Sequence, residues 1–377
     1  MIPLSVPNIA GNEWKYIKDC LDTGWVSSVG SYVNKMEEIS AAFSGVKKAI
    51  ATSNGTSALH ISLLLAGVKR DDLVILPNIT FVAPANVIKY MGADAVLIDV
   101  YEDTWQLNVD LLGKFLNEEC YDKDGACYHR ASGRRVSAII PVHVLGNMVK
   151  MEKLMPLAEK YHIQVVEDAT ESLGSTYKDK PAGSFGIFGC LSYNGNKIIT
   201  TGGGGMILTS DLELAKKAKH ITTQAKTDGV EYYHDEIGYN YRMVNILAAM
   251  GVAQMEQLPG FIERKKSIRK QYNEGLNGIK GFRPQAMTEH VKSNCWLYTA
   301  VFERSKELSA YLDQHGIQTR PFWVPMNQLP AFANDIYYNA NDVAGNVYNK
   351  CVSLPCSTNL TDDEVAEVIS KIKEFYA

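Results

Sequence analysis

The chain lacks the marks of several large protein classes. No apolar run approaches the roughly 18 residues that a membrane-spanning helix needs. Charge of one sign is not in excess: 38 Lys and Arg stand against 42 Asp and Glu, a net charge of −4. A dedicated nucleic-acid binder carries a basic surplus, so that class is set aside. The opening Met1-Ile2-Pro3-Leu4-Ser5-Val6-Pro7 has neither a basic n-region nor a long apolar h-region, and a cytoplasmic protein is expected. The seven cysteines (Cys20, Cys120, Cys127, Cys190, Cys295, Cys351, Cys356) are scattered and form no Cys-x-x-Cys. Reduced thiols in the core are expected rather than disulfides or structural zinc. Internal repeats and low-complexity stretches are absent, as is a Gly-x-Gly-x-x-Gly turn between strand and helix.

What is present is a long, ordinary globular composition. The 377 residues are 46% hydrophobic and 21% charged, enough for two or three domains at about 150 residues each. Short apolar runs alternate with helical ones. Strands are expected at 49–51, 73–76, 95–98, 138–140 and 164–166, and helices at 57–66 (closed by Gly67), 85–91 (stopped by Gly92) and 151–161. Strands without polar alternation, separated by helices, indicate a mainly parallel sheet covered on both faces, an α/β fold. The polar segment 117–135 reads as a surface excursion. A helix from about Val244 to Leu258 is expected to be interrupted by Pro259-Gly260, which sets a boundary between a large domain (1–258) and a smaller α+β domain (259–377). The latter ends in an amphipathic helix, 361–375, with Asp362 and Asp363 suited to its dipole.

Three segments carry chemistry. Ser53-Asn54-Gly55-Thr56-Ser57 lies between a strand and a helix, where N–H and hydroxyl groups converge on an anion or make an ordinary N-cap. Glu167-Asp168 ends an apolar strand, the position where open α/β sheets bind ligands, or forms a solvated acidic turn. No His or third acid at metal spacing supports a metal site there. Lys197 sits in a polar loop before Gly202-Gly203-Gly204-Gly205, a nucleophile if desolvated and a surface lysine if not. A phosphate cup, a strand-end Asp and a Lys about 30 residues later are the parts that a pyridoxal 5'-phosphate (PLP) enzyme needs.

Together and in order, these motifs resemble the DegT/DnrJ/EryC1/StrS sugar-nucleotide aminotransferases, which have the fold-type I PLP-dependent architecture. The resemblance covers nearly the whole chain. It rests also on Thr80-Phe81-Val82-Ala83, Pro141-Val142-His143, Ser192-Tyr193 and Gly238-Tyr239-Asn240-Tyr241-Arg242-Met243. Within the family, Thr223-Gln224-Ala225-Lys226, His234 and Tyr193-Asn194-Gly195-Asn196-Lys197 resemble the subgroup that makes 4-amino N-acetylhexosamine nucleotides. The legionaminic acid and bacillosamine-type 4-aminotransferases belong to that subgroup.

The resemblance implies roles. Lys197 forms the Schiff base and moves protons, and Asp168 pairs with the pyridine nitrogen. Phe81 stacks on the ring, and Gly55, Thr56 and Ser192 bind the phosphate. Asn240 reaches that phosphate from a second subunit, so a homodimer with shared sites is implied. Glu171 stands near the cofactor hydroxyl, where many members carry Gln or His. Arg242 and Arg320 meet a carboxylate or diphosphate, or else form structural ion pairs. Trp25 gates substrate or packs. His143 reads as structural, and Asn327 replaces a His common in relatives. The implied reaction moves the amino group of L-glutamate to C4 of a nucleotide-linked 4-keto-6-deoxy sugar, UDP-, GDP- or dTDP-linked. A PLP-using dehydratase is disfavoured because such members replace the lysine, usually by His. A PLP-binding regulator is disfavoured because no DNA-binding segment is left over.

Overall fold

An eight-stranded sheet runs through the larger part of the computed structural model, which describes residues 1–228 and 230–377. Its spatial order is Lys48–Thr52, Gly205–Thr209, Phe188–Ser192, Gln164–Asp168, Val136–Ile139, Leu73–Pro77, Asp94–Ile98 and Ile336–Tyr338. Gly205–Thr209 runs against both its neighbours, and the other ladders are parallel. Leu73–Pro77 is buried at every position, the signature of a strand covered on both faces. The helices Gly55–Leu65, Ala83–Tyr90 and Met151–Lys160 fall where the periodicity places them. Gly67 and Gly92 follow helix ends with φ of 82° and 70°, which a residue without Cβ adopts at little cost.

A four-stranded antiparallel sheet carries the second hydrophobic cluster. Its order is Arg283–Pro284, Tyr298–Val301, Cys351–Leu354 and Arg320–Pro321. The helices Ser305–Gln314 and Asp362–Tyr376 pack beside it; the latter starts from a capping box between Thr361 and Glu364. Ile2 belongs to this cluster and bridges to Ile317, whereas Ile336–Tyr338 returns to the large sheet. Both chain ends of the division at 258 therefore contribute across it.

One local expectation changes, and a second gains detail. Pro259-Gly260 does not interrupt the helix, which is continuous over Asn245–Gly275. An internal proline costs about 3 kcal/mol. Here Pro259 and Gly260 are exposed, while Leu258, Phe261 and Ile262 bury the opposite face, and that burial outweighs the lost bond. The segment 117–135 is an ordered hairpin at the surface, Cys120–Lys123 against Ala126–His129. Asp124 and Gly125 form its turn with φ of 54° and 74°, the backbone that Asp-Gly favours between antiparallel strands. All seven cysteines are buried and unpaired. No helix among the described residues is long and apolar enough to cross a membrane.

Candidate active site

The carboxyl ends of the parallel strands open onto a cavity of about 410 Å³. On one side, Lys48–Thr52 feeds the helix Gly55–Leu65. Asn54 caps it, its side-chain oxygen accepting the Ser57 N–H at 2.7 Å. The first helical N–H groups have no partner within the helix, and Gly55 and Thr56 line the cavity. A Cβ on Gly55 would stand 2.9 Å from Ser192 Cβ and 3.3 Å from the Leu191 carbonyl oxygen. The two readings of this segment thus coexist: Asn54 is the cap, and the following turn is an open cradle for an anion.

Glu167 and Asp168 are adjacent on one strand and project to opposite sides. Glu167 is consumed internally. It accepts N–H groups of Gly183 (3.0 Å), Phe185 (2.5 Å) and Gly186 (2.8 Å) and lies 3.0 Å from His143 Nε2. His143 is wholly buried, and its Nδ1 accepts the Val149 N–H at 3.4 Å, which leaves Nε2 to donate to Glu167. It is a strut, as its position after a strand suggests.

Asp168 instead lines the cavity and accepts only the Thr170 N–H there, at 3.1 Å. Burial pushes its carboxyl up, opposed by the Thr170 hydrogen bond and the Lys197 charge. A buried acid so little neutralised by its own chain suits a partner presenting N–H⁺. The cradle at Gly55 and the Asp168 carboxylate therefore fit the phosphate and the pyridine nitrogen of PLP.

Lys197 lies in the loop from Tyr193 to Gly204. The loop is closed by Lys197 N–H on the Asn194 carbonyl (3.0 Å) and Thr201 N–H on the Tyr193 carbonyl (2.9 Å). Gly204 has φ of 144°, and a Cβ on Gly205 would meet the Asn54 backbone at 2.4 Å; this close approach explains the glycine run. Lys197 Nζ is 3.7 Å from Glu171 Oε1 and 4.2 Å from the centroid of the Trp296 indole. Glu171 is buried, with Oε2 accepting the Leu145 N–H at 2.8 Å. Burial pushes its carboxyl up to about 7, against the pull of Lys197 and Leu145.

Of the residues singled out in the sequence, Gly55, Thr56, Phe81, Asp168, Glu171, Ser192, Lys197 and Arg320 line this one cavity. Phe81 is 54% exposed at its mouth. Arg242, Trp25, Asn240, His143 and Asn327 do not line it. Arg242 is a correction: its guanidinium is buried against Glu37 (2.5 Å) and the Ala51 carbonyl (3.0 Å), the structural ion pair rather than a substrate contact. Trp25 is exposed, and only its carbonyl is engaged, by Asn245. Asn240 is exposed on the segment after residue 230. Asn327 makes a reciprocal pair with Asn78 at 2.9 and 3.0 Å.

Sequence reasoning missed Trp296, and it gave Thr80, quoted in a motif, no role. The Thr80 hydroxyl is buried at the cavity wall without a hydrogen-bond partner. Away from the cavity, His220, Asp235 and Glu236 converge, but His220 bonds Asp235 at 2.7 Å and Lys217 pairs with Glu236.

The family model of the DegT/DnrJ/EryC1/StrS aminotransferase family matches residues 7–373. A Bacillus subtilis protein assigned as a pyridoxal phosphate-dependent aminotransferase, EpsN, is 37% identical over 100% of this chain and 96% of its own. GDP-perosamine synthase of Escherichia coli O157:H7 is 36% identical over 100% and 99%. A Streptococcus pneumoniae protein assigned as a sugar aminotransferase, solved in its PLP form, superposes with a TM-score of 0.88 at 26% identity, covering 99% of this chain and 98% of that one.

Proposed function

Because the chain belongs to the DegT/DnrJ/EryC1/StrS aminotransferase family and is a PLP-dependent sugar aminotransferase, we propose that it moves the amino group of L-glutamate to C4 of a nucleotide-linked 4-keto-6-deoxyhexose. The acceptor proposed is UDP-2-acetamido-4-keto-2,4,6-trideoxyglucose, and the product a 4-amino sugar for legionaminic acid or bacillosamine-type surface glycans. The observation that carries the reading is the convergence of Lys197, Asp168 and Glu171 with the Gly55-Thr56 cradle on one cavity.

PLP, when bound, supplies an electron-accepting ring through which nitrogen passes from donor to acceptor. The chain's own residues do the rest. Gly55, Thr56 and Ser192 hold the phosphate, and the Asp168 carboxylate keeps the ring nitrogen protonated. Phe81 covers the ring at the cavity mouth. Lys197 Nζ takes the proton from the donor's Cα and later delivers one to the sugar's C4, so its side of approach sets the C4 configuration. Glu171, beside Nζ, orients the lysine and meets the cofactor hydroxyl. Among the described residues the Arg320 guanidinium has only its own Thr319 carbonyl as acceptor (2.8 Å), which leaves it for the donor carboxylate or the diphosphate.

Two copies are proposed to share their sites, which accounts for Asn240 lying exposed and off the cavity of its own chain: it serves the phosphate of the other copy. Trp25 is proposed to reach substrate in the same assembly. The small-sheet unit from 259 onward is proposed as the domain that bears Arg320 against the cofactor-binding domain. The setting proposed is the cytoplasm, where nucleotide sugars are made.

A second reading is a GDP-linked acceptor, favoured by the 36% identity to a GDP-perosamine synthase. Absorbance separates the two. PLP-loaded protein should lose its visible band on addition of L-glutamate and regain it with the UDP-linked keto sugar. Recovery only with a GDP-linked 4-keto-6-deoxyhexose establishes the second reading. A visible band indifferent to Lys197→Ala sinks both.

A further inference from the structure

The loop that carries Lys197 is held from outside by Gln254, whose Oε1 accepts the Thr200 N–H at 3.2 Å, and, next to the lysine itself, by Trp296. Trp296 is 2% exposed, and its indole N–H donates to the carbonyl of Asn196, the residue before Lys197, at 2.7 Å. The same indole presents its face to Lys197 Nζ at 4.2 Å from the ring centroid. One side chain thus restrains both the start of the lysine's backbone and the end of its side chain.

Trp296 is itself fixed at both backbone groups. Its N–H donates to Asn294 Oδ1 at 2.9 Å, and its carbonyl accepts from the buried ammonium of Lys265 at 2.8 Å. Lys265 also donates to the Cys356 carbonyl at 2.6 Å, which ties the long helix to the small-sheet unit. Asn294 spends its amide N–H groups on the carbonyls of Glu171 and Leu173, both at 2.9 Å. Between them, Cys295 turns the chain with φ of 55°. A compact Asn294-Cys295-Trp296 turn therefore sets the two groups nearest Nζ, the Glu171 carboxyl and the indole, relative to each other.

We propose that Trp296 is a positioning residue for Lys197: its N–H···O=C bond to Asn196 fixes the lysine loop, and its ring face backs Nζ so that the side chain stays aimed into the cavity. The proposal rests on Lys197 being the reacting lysine. The groups that face Nζ from the surrounding elements are the Glu171 carboxyl at 3.7 Å and, farther off, the Asp168 carboxyl. Both are retained in the variants below.

The test compares Trp296→Leu, which removes face and donor, with Trp296→Phe, which keeps a face and loses the donor. In PLP-loaded protein without substrate, the visible circular dichroism of the bound cofactor, which reads how the lysine holds it, should weaken in Trp296→Leu and stay near wild type in Trp296→Phe. The rate of band loss with L-glutamate should fall about tenfold or more in Trp296→Phe, because a loosened loop misplaces Nζ. A Trp296→Leu visible circular dichroism equal to wild type, or a Trp296→Phe rate equal to wild type, overturns the proposal. If Trp296→Leu does not fold, the Trp296→Phe rate and its melting temperature decide: a slow rate with an unchanged melting temperature supports positioning, and an unchanged rate refutes it. Lys197→Ala separates the two levels of the argument. A pH-dependent visible band that survives in Lys197→Ala defeats the assignment of Lys197 itself, whatever the Trp296 variants do.

Discussion

Glu171→Gln should make the cofactor-free protein more stable at alkaline pH and leave it unchanged at acid pH. Glu171 is buried, and its carboxyl is pushed up to about 7 from 4.5, chiefly by the loss of water around it. A carboxyl raised on folding binds its proton more tightly in the folded chain than in the unfolded one. Stability from this group is therefore full below the unfolded value and is lost as pH rises from about 4.5 through about 7. The shift corresponds to about 3 kcal/mol. Glutamine keeps an oxygen for the Leu145 N–H but has no proton to lose, so it does not incur that loss. For a chain of 377 residues the difference amounts to roughly 4 °C in melting temperature. Melting curves of both proteins, stripped of PLP, at pH 5 and pH 8 measure it. The variant should match wild type at pH 5 and exceed it by a few degrees at pH 8. The difference between the two proteins cancels the titrating groups that do not face Glu171; those that do are Lys197 and Asp168. A difference that is flat across that range, or that shrinks as pH rises, refutes the reading of Glu171 as an acid held near neutral by burial.

Two further outcomes follow from the site's surroundings. Glu37→Gln should destabilise the fold by about 3 kcal/mol, because it leaves the buried Arg242 guanidinium uncompensated, while the Kd for PLP stays within twofold; denaturant titration and equilibrium dialysis check the two halves. Gly55→Val should weaken PLP about tenfold or more by driving a side chain into Ser192 and the Leu191 carbonyl, with little change in the far-ultraviolet circular dichroism.

The strands were legible because a sheet covered on both faces demands uninterrupted apolar residues, and Leu73-Val74-Ile75-Leu76 and Ala95-Val96-Leu97-Ile98 supply them. Helix ends were legible where glycine follows, as at Gly67 and Gly92. Pro259 misled because a local rule was set against burial along the whole helix, and burial won. The hairpin at Asp124-Gly125 was signalled by its turn dipeptide, but its strands are short and polar and carry little alternation. Ile336–Tyr338 could not be foreseen as part of the large sheet. Three residues carry no period, and the pairing with Asp94–Ile98 spans most of the chain.

The site divides along the same line. Gly55, Asp168 and Lys197, which the structure brings to one cavity, stood out because a phosphate, a ring nitrogen and a carbonyl carbon each restrict the residue types that can serve them. Arg242 was not, since an arginine suits a diphosphate or a carboxylate equally, and its partner Glu37 lies 205 residues away. Trp296 is the sharper case. Its bond to Asn196 crosses 100 residues, and nothing in Asn294-Cys295-Trp296 distinguishes it from a core aromatic. The chemistry asks only for a lysine; how that lysine is held is left to whichever segment the fold brings alongside. Positioning residues therefore carry no motif of their own, and they become visible only when both ends of such a contact are placed in space. That is why the Trp296 variants probe the reaction at a point that the family's shared motifs do not reach.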